Sequence, residues 1–396
     1  MKIAIITGGR LPVPAIKGGA VETLLDFILA YNAQHHLHDI TIYSISPNIH
    51  FKNPKTQENH YYFVNTNSIL FKIGRRVYSR INPQKVYDSF IEFFLFLSLK
   101  HIRKKRYDAI ILSNRSGYVE KVANITETPI ILFLENDYLN PNMSKAKEIK
   151  GHCSGVITCS NYINNQVASV DANHKIPIIT VHNGIDIEKF MNAAAIPRER
   201  LGLTANDFVI IYSGRIIREK GVLELIQALK MLNDIKNIKL LIVGASFYGK
   251  DDVDSPFIQS LKKEVEPIKE KVIFTGYIDY SEMPSYLKVA NLAVVPSIWD
   301  EPFGLTVLEA MAAGLPLITT YSGGIPEICK GCAILIERKN IVQHISDSIR
   351  SLYHNPEYAD AFSKKAIERS KEFDKDVFSR TFIKQVEKII DANNQQ

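Results

Sequence analysis

The sequence has few of the residues that would make it a small cross-linked chain or a membrane-spanning one. Only four cysteines occur in 396 residues, too few for a disulfide framework and suited to a reducing compartment. Cys329 and Cys332 in CKGC have metal or redox spacing. However, Cys153 and Cys159 do not form a second such pair and no histidine stands close by, so the spacing reads as incidental. Long apolar runs are also missing. The longest, FIEFFLFLSL at 90–99, is about half of the roughly 20 residues a spanning helix needs. MKIAIITGG opens with one lysine and an apolar run too short for the core of a signal peptide. It reads as a first strand, and the cytoplasm is the expected compartment. Low-complexity tracts and short-period repeats are absent, which excludes solenoids and extended disordered regions.

What remains is an ordinary globular composition, 46% hydrophobic and 23% charged, in a chain longer than one core usually organises, so two domains are expected. Short apolar runs alternate with longer amphipathic ones. KIAIIT, DITIYSI, YDAIILS, TPIILFL, GVITCS and IPIITVHNG read as buried strands, and VIIYSGR, IKLLIVG, KVIFTG, ANLAVVPS and LPLIT repeat the rhythm. Runs that are continuous rather than alternating indicate parallel sheets covered on both faces. The expected fold class is therefore α/β, with two doubly wound parallel-sheet domains over 1–186 and 187–375. A loose linker is expected near 184–206, and a C-terminal helix over 376–396, with packing back on the first domain as one placement for it.

Charge is concentrated. Residues 1–186 hold 21 Lys and Arg against 14 Asp and Glu, and the remainder 27 against 28. Within residues 69–107, ten cations (Lys72, Arg75, Arg76, Arg80, Lys85, Lys100, Arg103, Lys104, Lys105, Arg106) face only Asp88 and Glu92. Cations mixed with Phe, Tyr, Leu and Ile suit a surface resting on anionic lipid. A buried Phe-rich helix with solvated cations at its flanks accounts for them equally. No nucleic-acid partner is expected, because the cations flank one large apolar run instead of spaced aromatic platforms.

Two motifs carry chemistry. In YSGRIIREKG a strand ends at Gly214 and two cations, Arg215 and Lys220, follow within one loop. Ligands of open α/β sheets bind beyond the carboxyl ends of strands, where such cations suit a diphosphate. In WDEPFGLTVLEAMAAG, Phe303 and Gly304 are expected to begin a helix running to Gly314. The N–H groups of Gly304, Leu305 and Thr306 would then form an anion site. Glu301 precedes that terminus, and Glu309 lies roughly 7 to 8 Å along the axis. A diphosphate at the helix mouth would have one carboxylate on either side, each an acceptor for paired hydroxyls, one set on a ribose and the other on a sugar.

Over 207 to about 340 the chain resembles the donor domain of the family-4 retaining glycosyltransferases, through SGRIIREKG, VIFTGYI, PSIWDEPFGLTVLEAMAAGLPLITT and SGGIPEI. GGRLPVPAIKGGAVETLL, CSNYINN and VHNGID extend the likeness over nearly the whole chain. The resemblance implies a GT-B fold, two facing Rossmann-like domains with an interdomain cleft, and transfer of a hexosyl unit with retention. The donor would be a nucleotide sugar, UDP-linked by preference, and the acceptor a saccharide or lipid-linked saccharide of capsular or extracellular polysaccharide. Arg215, Lys220 and Glu301 would be catalytic: the cations on the donor diphosphate and leaving group, Glu301 on the transferred sugar. Glu309 would hold the ribose, and Phe303, Gly304, Leu305 and Thr306 would line the phosphates. Tyr277, just after Gly276, would meet the base, and Gly18 and Gly19 would approach the phosphates from the other domain. No metal and no cofactor are implied. Asp252 and Asp254 in DDVD imitate a metal motif but read as solvated surface. Many relatives carry a histidine where this chain has FLENDYLN, so Glu135 and Asp137 receive no assigned role. A nucleotide-sugar 2-epimerase or a non-catalytic GT-B coat or scaffold protein are the alternatives.

Overall fold

The computed structural model describes residues 1–47, 57–83, 86–245 and 255–394. Lys85 and the DDVD stretch lie outside them. The chain divides into two compact units, Met1–Gly184 with Lys375–Gln396, and Ile185–Asp374.

The first unit is built on seven strands: β1 (Lys2–Ile6), β2 (Asp39–Ile45), β3 (Asn59–Val64), β4 (Ala109–Ser113), β5 (Ile130–Leu134), β6 (Gly155–Thr158) and β7 (Ile178–Thr180). They lie in the order β3-β2-β1-β4-β5-β6-β7, all parallel. The inner strands β4 and β5 are buried at every position, which is why they appear in the sequence as unbroken apolar runs. β3 was not expected. Among the described residues it pairs only with β2, and its middle positions are half-exposed, so NHYYFV has no apolar run to announce it.

Helix α1 (Ala20–His35) buries Leu24, Leu25, Ile28 and Leu29 against this sheet. The C-terminal helix Lys375–Asn394 adds Phe378, Phe382, Ile383, Val386, Ile389 and Ile390 to the same core. Phe382 stands edge-on to Phe133 of β5 at 4.8 Å. Each such burial contributes about 1.5 to 3 kcal/mol. Two further helices, α2 (Ile69–Ile81) and α3 (Ser89–Ile102), pack on each other. The apolar run 90–99 belongs to α3, where Ile91, Phe93, Phe94, Leu95 and Leu99 are buried. For this run the buried-helix reading holds. Among the described residues no helix is long and apolar enough to cross a membrane.

The second unit has six strands: β8 (Phe208–Ser213), β9 (Ile238–Val243), β10 (Val272–Gly276), β11 (Leu292–Val295), β12 (Leu317–Thr320) and β13 (Ile334–Ile336). Their order is β10-β9-β8-β11-β12-β13, again all parallel. β13, another edge strand, is only three residues long and escaped notice in the sequence. The stretch expected as a loose linker is instead built into this unit. Asp186 caps the helix Ile187–Met191 by accepting from the Lys189 N–H at 3.1 Å. The Arg198 guanidinium donates to the carbonyls of Thr204, Asp207 and Val289 at 2.8, 3.1 and 3.1 Å.

Candidate active site

In the second unit the strand order reverses between β8 and β11, so a crevice opens where their carboxyl ends diverge. Both sequence motifs follow those two strands. Gly214 and Arg215 continue β8, and the loop 296–304 continues β11 into the helix Leu305–Ala312. The helix begins at Leu305 and not at Phe303. Gly304 is its cap, with φ 115°, a left-handed conformation that side chains disfavour. A Cβ placed on Gly214 would lie 3.8 Å from Thr306 Cγ2, so the first turn of the helix stands beside the β8 loop. The first N–H groups of a helix have no intrahelical acceptor, and those of Leu305 and Thr306 belong to this set. The Phe303 ring is buried, edge-on to Phe373 at 6.1 Å.

Lys220 and Glu301 meet directly. Lys220 Nζ lies 2.6 and 2.9 Å from the two Glu301 carboxylate oxygens, with side chains 19% and 7% exposed. The Ser297 hydroxyl donates to the same carboxylate, and the ammonium lies 5.5 Å from the centre of the Trp299 ring. An ammonium has three hydrogens. Two are directed at Glu301, and one remains for a further acceptor.

The backbone holds this pair in place. The Ile298 N–H donates to the Glu219 carbonyl at 2.9 Å, tying the lysine loop to the glutamate loop. At Gly221, φ is 71° and an added Cβ would fall 1.9 Å from the Pro296 carbonyl oxygen, so only glycine lets the two loops come this close. The Gly324 N–H donates to the Glu301 carbonyl at 2.8 Å, and a Cβ on Gly323 would lie 2.1 Å from that oxygen. Beneath the loop, Thr320 and Ser322 hydroxyls donate to the Ser297 carbonyl at 2.7 and 2.9 Å. Arg338 forms an ion pair with Asp300 at 3.0 Å.

Glu309 lies inside the helix and is only 5% exposed. The Tyr280 hydroxyl donates to it at 2.9 Å. Burial pushes the Glu309 carboxyl up to about 7, against the opposing pull of the Tyr280 hydrogen bond and of Lys189. Arg215 is exposed and has no ion-pair partner among the described residues. Its carbonyl accepts from the buried Tyr212 hydroxyl at 2.6 Å, which fixes its backbone and leaves its guanidinium free to reach a ligand. Tyr277 is half-buried just after β10, beyond Gly276 with φ 71°.

The second unit thus joins Lys220 to Glu301 and sets Thr306 beside Gly214, while Arg215, Gly304 and Leu305 stand in the same two segments and Glu309 lies farther along the helix against Tyr280. Gly18 and Gly19 belong to the first unit, in the loop before α1, with φ of 73° and 107°. Sequence reasoning missed Ser297 and Tyr280, the partners of the two glutamates. Ser297 had a weak signal as the polar residue ending a strand run; Tyr280 had none, since 29 residues separate it from Glu309.

In the first unit, Glu135 directly follows β5, buried, and accepts from the Asn183 side-chain amide. Its other oxygen and the Asn183 side-chain amide oxygen are buried with no hydrogen-bond partner among the described residues. Burial pushes the Glu135 carboxyl up to about 8. Asp137, by contrast, is exposed. Among the described residues no group of three His, Cys, Asp or Glu side chains is arranged to hold a metal.

Residues 195–369 match the family model "Glycosyl transferases group 1". This part of the chain is a glycosyl transferases group 1 domain. The chain is similar to spore coat protein SA of Bacillus subtilis (strain 168), 24% identical over 342 residues, 83% of each chain. It is also similar to putative glycosyltransferase YtcC of the same organism, 24% identical over 380 residues, 92% of this chain and 86% of the relative. Among solved structures it is similar to Anabaena Alr3699/HepE in complex with UDP-glucose, with TM-score 0.72 and 17% identity over 98% of this chain and 100% of that one. The two Rossmann-like parallel-sheet domains of this chain are those of the GT-B fold.

Proposed function

We propose that the chain is a retaining glycosyltransferase that moves a hexosyl unit from a nucleotide sugar, with a UDP-sugar favoured, to a saccharide or lipid-linked acceptor in capsular or extracellular polysaccharide synthesis. The observation that carries this reading is the Lys220–Glu301 pair, held where β8 and β11 diverge, next to the start of the Leu305–Ala312 helix. The bound UDP-glucose of the Anabaena relative supports the choice of donor.

The roles follow from chemistry. The donor diphosphate docks on the N–H groups of Leu305 and Thr306, where the helix end carries a partial positive charge. Arg215 supplies a planar fork of donors, and Lys220 its third hydrogen. Glu301, already oriented by Lys220 and Ser297, accepts from hydroxyls of the transferred sugar, and Glu309 from those of the ribose. Tyr277 faces the base.

As the bond from the anomeric carbon to the diphosphate oxygen breaks, its electron pair stays on that oxygen. The two cations and the helix end stabilise the charge. The acceptor oxygen bonds to the anomeric carbon on the face the diphosphate leaves, and its proton passes to the departing phosphate oxygen. This charge set is why we propose a reaction that needs no metal. The test is incubation with a panel of nucleotide sugars and saccharide acceptors, with mass spectrometry of products and NMR of the new anomeric centre. An inverted linkage refutes retention. A free epimerised sugar nucleotide formed without acceptor points to an epimerase, and nucleotide binding without any product points to a scaffold.

A further inference from the structure

Helix α2 turns apolar residues outward. Ile69, Leu70, Ile73, Val77 and Ile81 are 72%, 82%, 55%, 49% and 72% exposed. At 100° per residue they fall within one arc of about 120°. Lys72, Arg76 and Arg80, all exposed, form a row at four-residue spacing along one edge of that arc, with Arg80 just inside it. The opposite side is packed. Phe71 and Tyr78 meet Phe90, Phe93 and Phe96 of α3 at centroid distances from 5.1 to 5.6 Å, and Ser68 caps the helix by accepting from the Phe71 N–H at 3.1 Å. The helix is therefore seated by one face and bare on the other. Single exposed apolar residues are ordinary on a protein surface; five along one helix are a contiguous patch that marks an interaction surface.

Charge selects the occupant. The helix ILFKIGRRVYSRI carries Lys72, Arg75, Arg76 and Arg80 and no acidic residue. A second copy would bring the same cations against themselves. An anionic bilayer offers an apolar layer beneath a sheet of phosphates, and an amphipathic helix with cations along its apolar stripe matches both. We propose that α2 is an interfacial helix that docks the protein on an anionic lipid surface, with Leu70, Ile73 and Val77 entering the acyl boundary and Lys72, Arg76 and Arg80 meeting lipid phosphates. The buried run of α3, the more apolar of the two in sequence, is the platform beneath α2 and not the membrane element. This docking is independent of the transfer chemistry proposed above.

The test is flotation of the full chain with vesicles of phosphatidylcholine alone and of phosphatidylcholine mixed with phosphatidylglycerol. Binding is expected only to the mixed vesicles and weakens as salt rises. Arg76→Gln and Arg80→Gln each lower it about fivefold, and Leu70→Glu/Ile73→Glu abolishes it while the thermal midpoint and transfer to a soluble acceptor stay at wild-type values. Undiminished binding of Leu70→Glu/Ile73→Glu, equal binding to neutral vesicles, or no binding at all would overturn the proposal. So would lipid-free self-association in sedimentation that the same double variant removes, which would make the patch a contact between copies. Loss of transfer activity on every acceptor with vesicle binding intact would fault the enzymatic reading alone.

Discussion

Replacing Lys220 with alanine separates two contributions of one side chain. Its ammonium bonds both oxygens of a carboxylate that is 7% exposed and, among the described residues, otherwise receives only the Ser297 hydroxyl. Removing one partner of a buried ion pair leaves an uncompensated charge and typically costs 3 to 5 kcal/mol. Lys220 retains 19% exposure, which allows water to replace part of its contribution, so about 2 to 3 kcal/mol is expected for this pair. In a unit of this size 1 kcal/mol shifts the midpoint by ~2–4 °C, giving a fall of roughly 5–10 °C for the second unit. Adding Glu301→Gln removes the stranded charge, and the double variant should recover most of that fall. Turnover should behave differently. Loss of a group that stabilises developing negative charge costs about 10²–10³ in kcat, and Glu301→Gln cannot restore it. The assay is thermal unfolding followed by circular dichroism, set beside kcat at saturating donor, for both single variants and the double. A double variant with wild-type kcat would mean that Lys220 serves only to neutralise Glu301. An unchanged midpoint in Lys220→Ala would mean that the pair is not desolvated.

Three further perturbations probe other parts of the structure. Burial places the Glu309 carboxyl at about 7, and only its ionised form accepts from two ribose hydroxyls, so donor KM should fall as pH rises from 6 to 8, while Glu309→Gln should show a higher KM and a flat profile. The folded-state pKa of Glu135 is raised from 4.5 to about 8, so within that window the folded chain holds a proton the unfolded chain has released; stability is full below it and lost as pH rises through it, by on the order of 5 kcal/mol. Glu135→Gln should flatten that decline in thermal unfolding between pH 5 and 9; an unaltered slope would show that the carboxyl titrates normally. Gly221→Ala forces a Cβ to within 1.9 Å of a carbonyl oxygen at φ 71° and should cost more than about 3 kcal/mol, whereas Gly18→Ala, with φ 73° but nothing within 4 Å, should cost about 1 kcal/mol. Equal midpoints for the two variants would refute the close approach of the 221 and 296 loops.

The inner strands were legible because burial on both faces leaves an unbroken apolar run, as in AIILS of β4 and IILFL of β5. The edge strands were not. NHYYFV of β3 and ILI of β13 are half-exposed and alternate weakly, and only pairing with a neighbour makes them strands. The candidate site divides the same way. Arg215, Lys220, Glu301 and Glu309 stand in local motifs after strands and could be singled out one by one. Their pairing depends on which strands are neighbours in the sheet, and 81 residues separate Lys220 from Glu301. The outward face of α2 was hidden for a different reason: mean composition marked α3 as the more apolar helix, but which helix is covered depends on tertiary packing. The stretch 184–206 misleads because its Ala and Pro read as looseness, whereas Arg198 gathers four carbonyls, of Thr204, Ala205, Asp207 and Val289, and pins that segment.

The helix Lys375–Asn394 completes the core of the first unit with six side chains, although almost two hundred residues of the second unit are synthesised before it. On the ribosome the second unit has all its strands while the first still lacks part of its interior, since Gly155 of β6 and Phe133 of β5 must wait for Ile389 and Phe382. Emergence of the helix Lys375–Asn394 is therefore the event that closes the core of the first unit. Damage to this helix will show itself first in the unit that Met1–Gly184 builds.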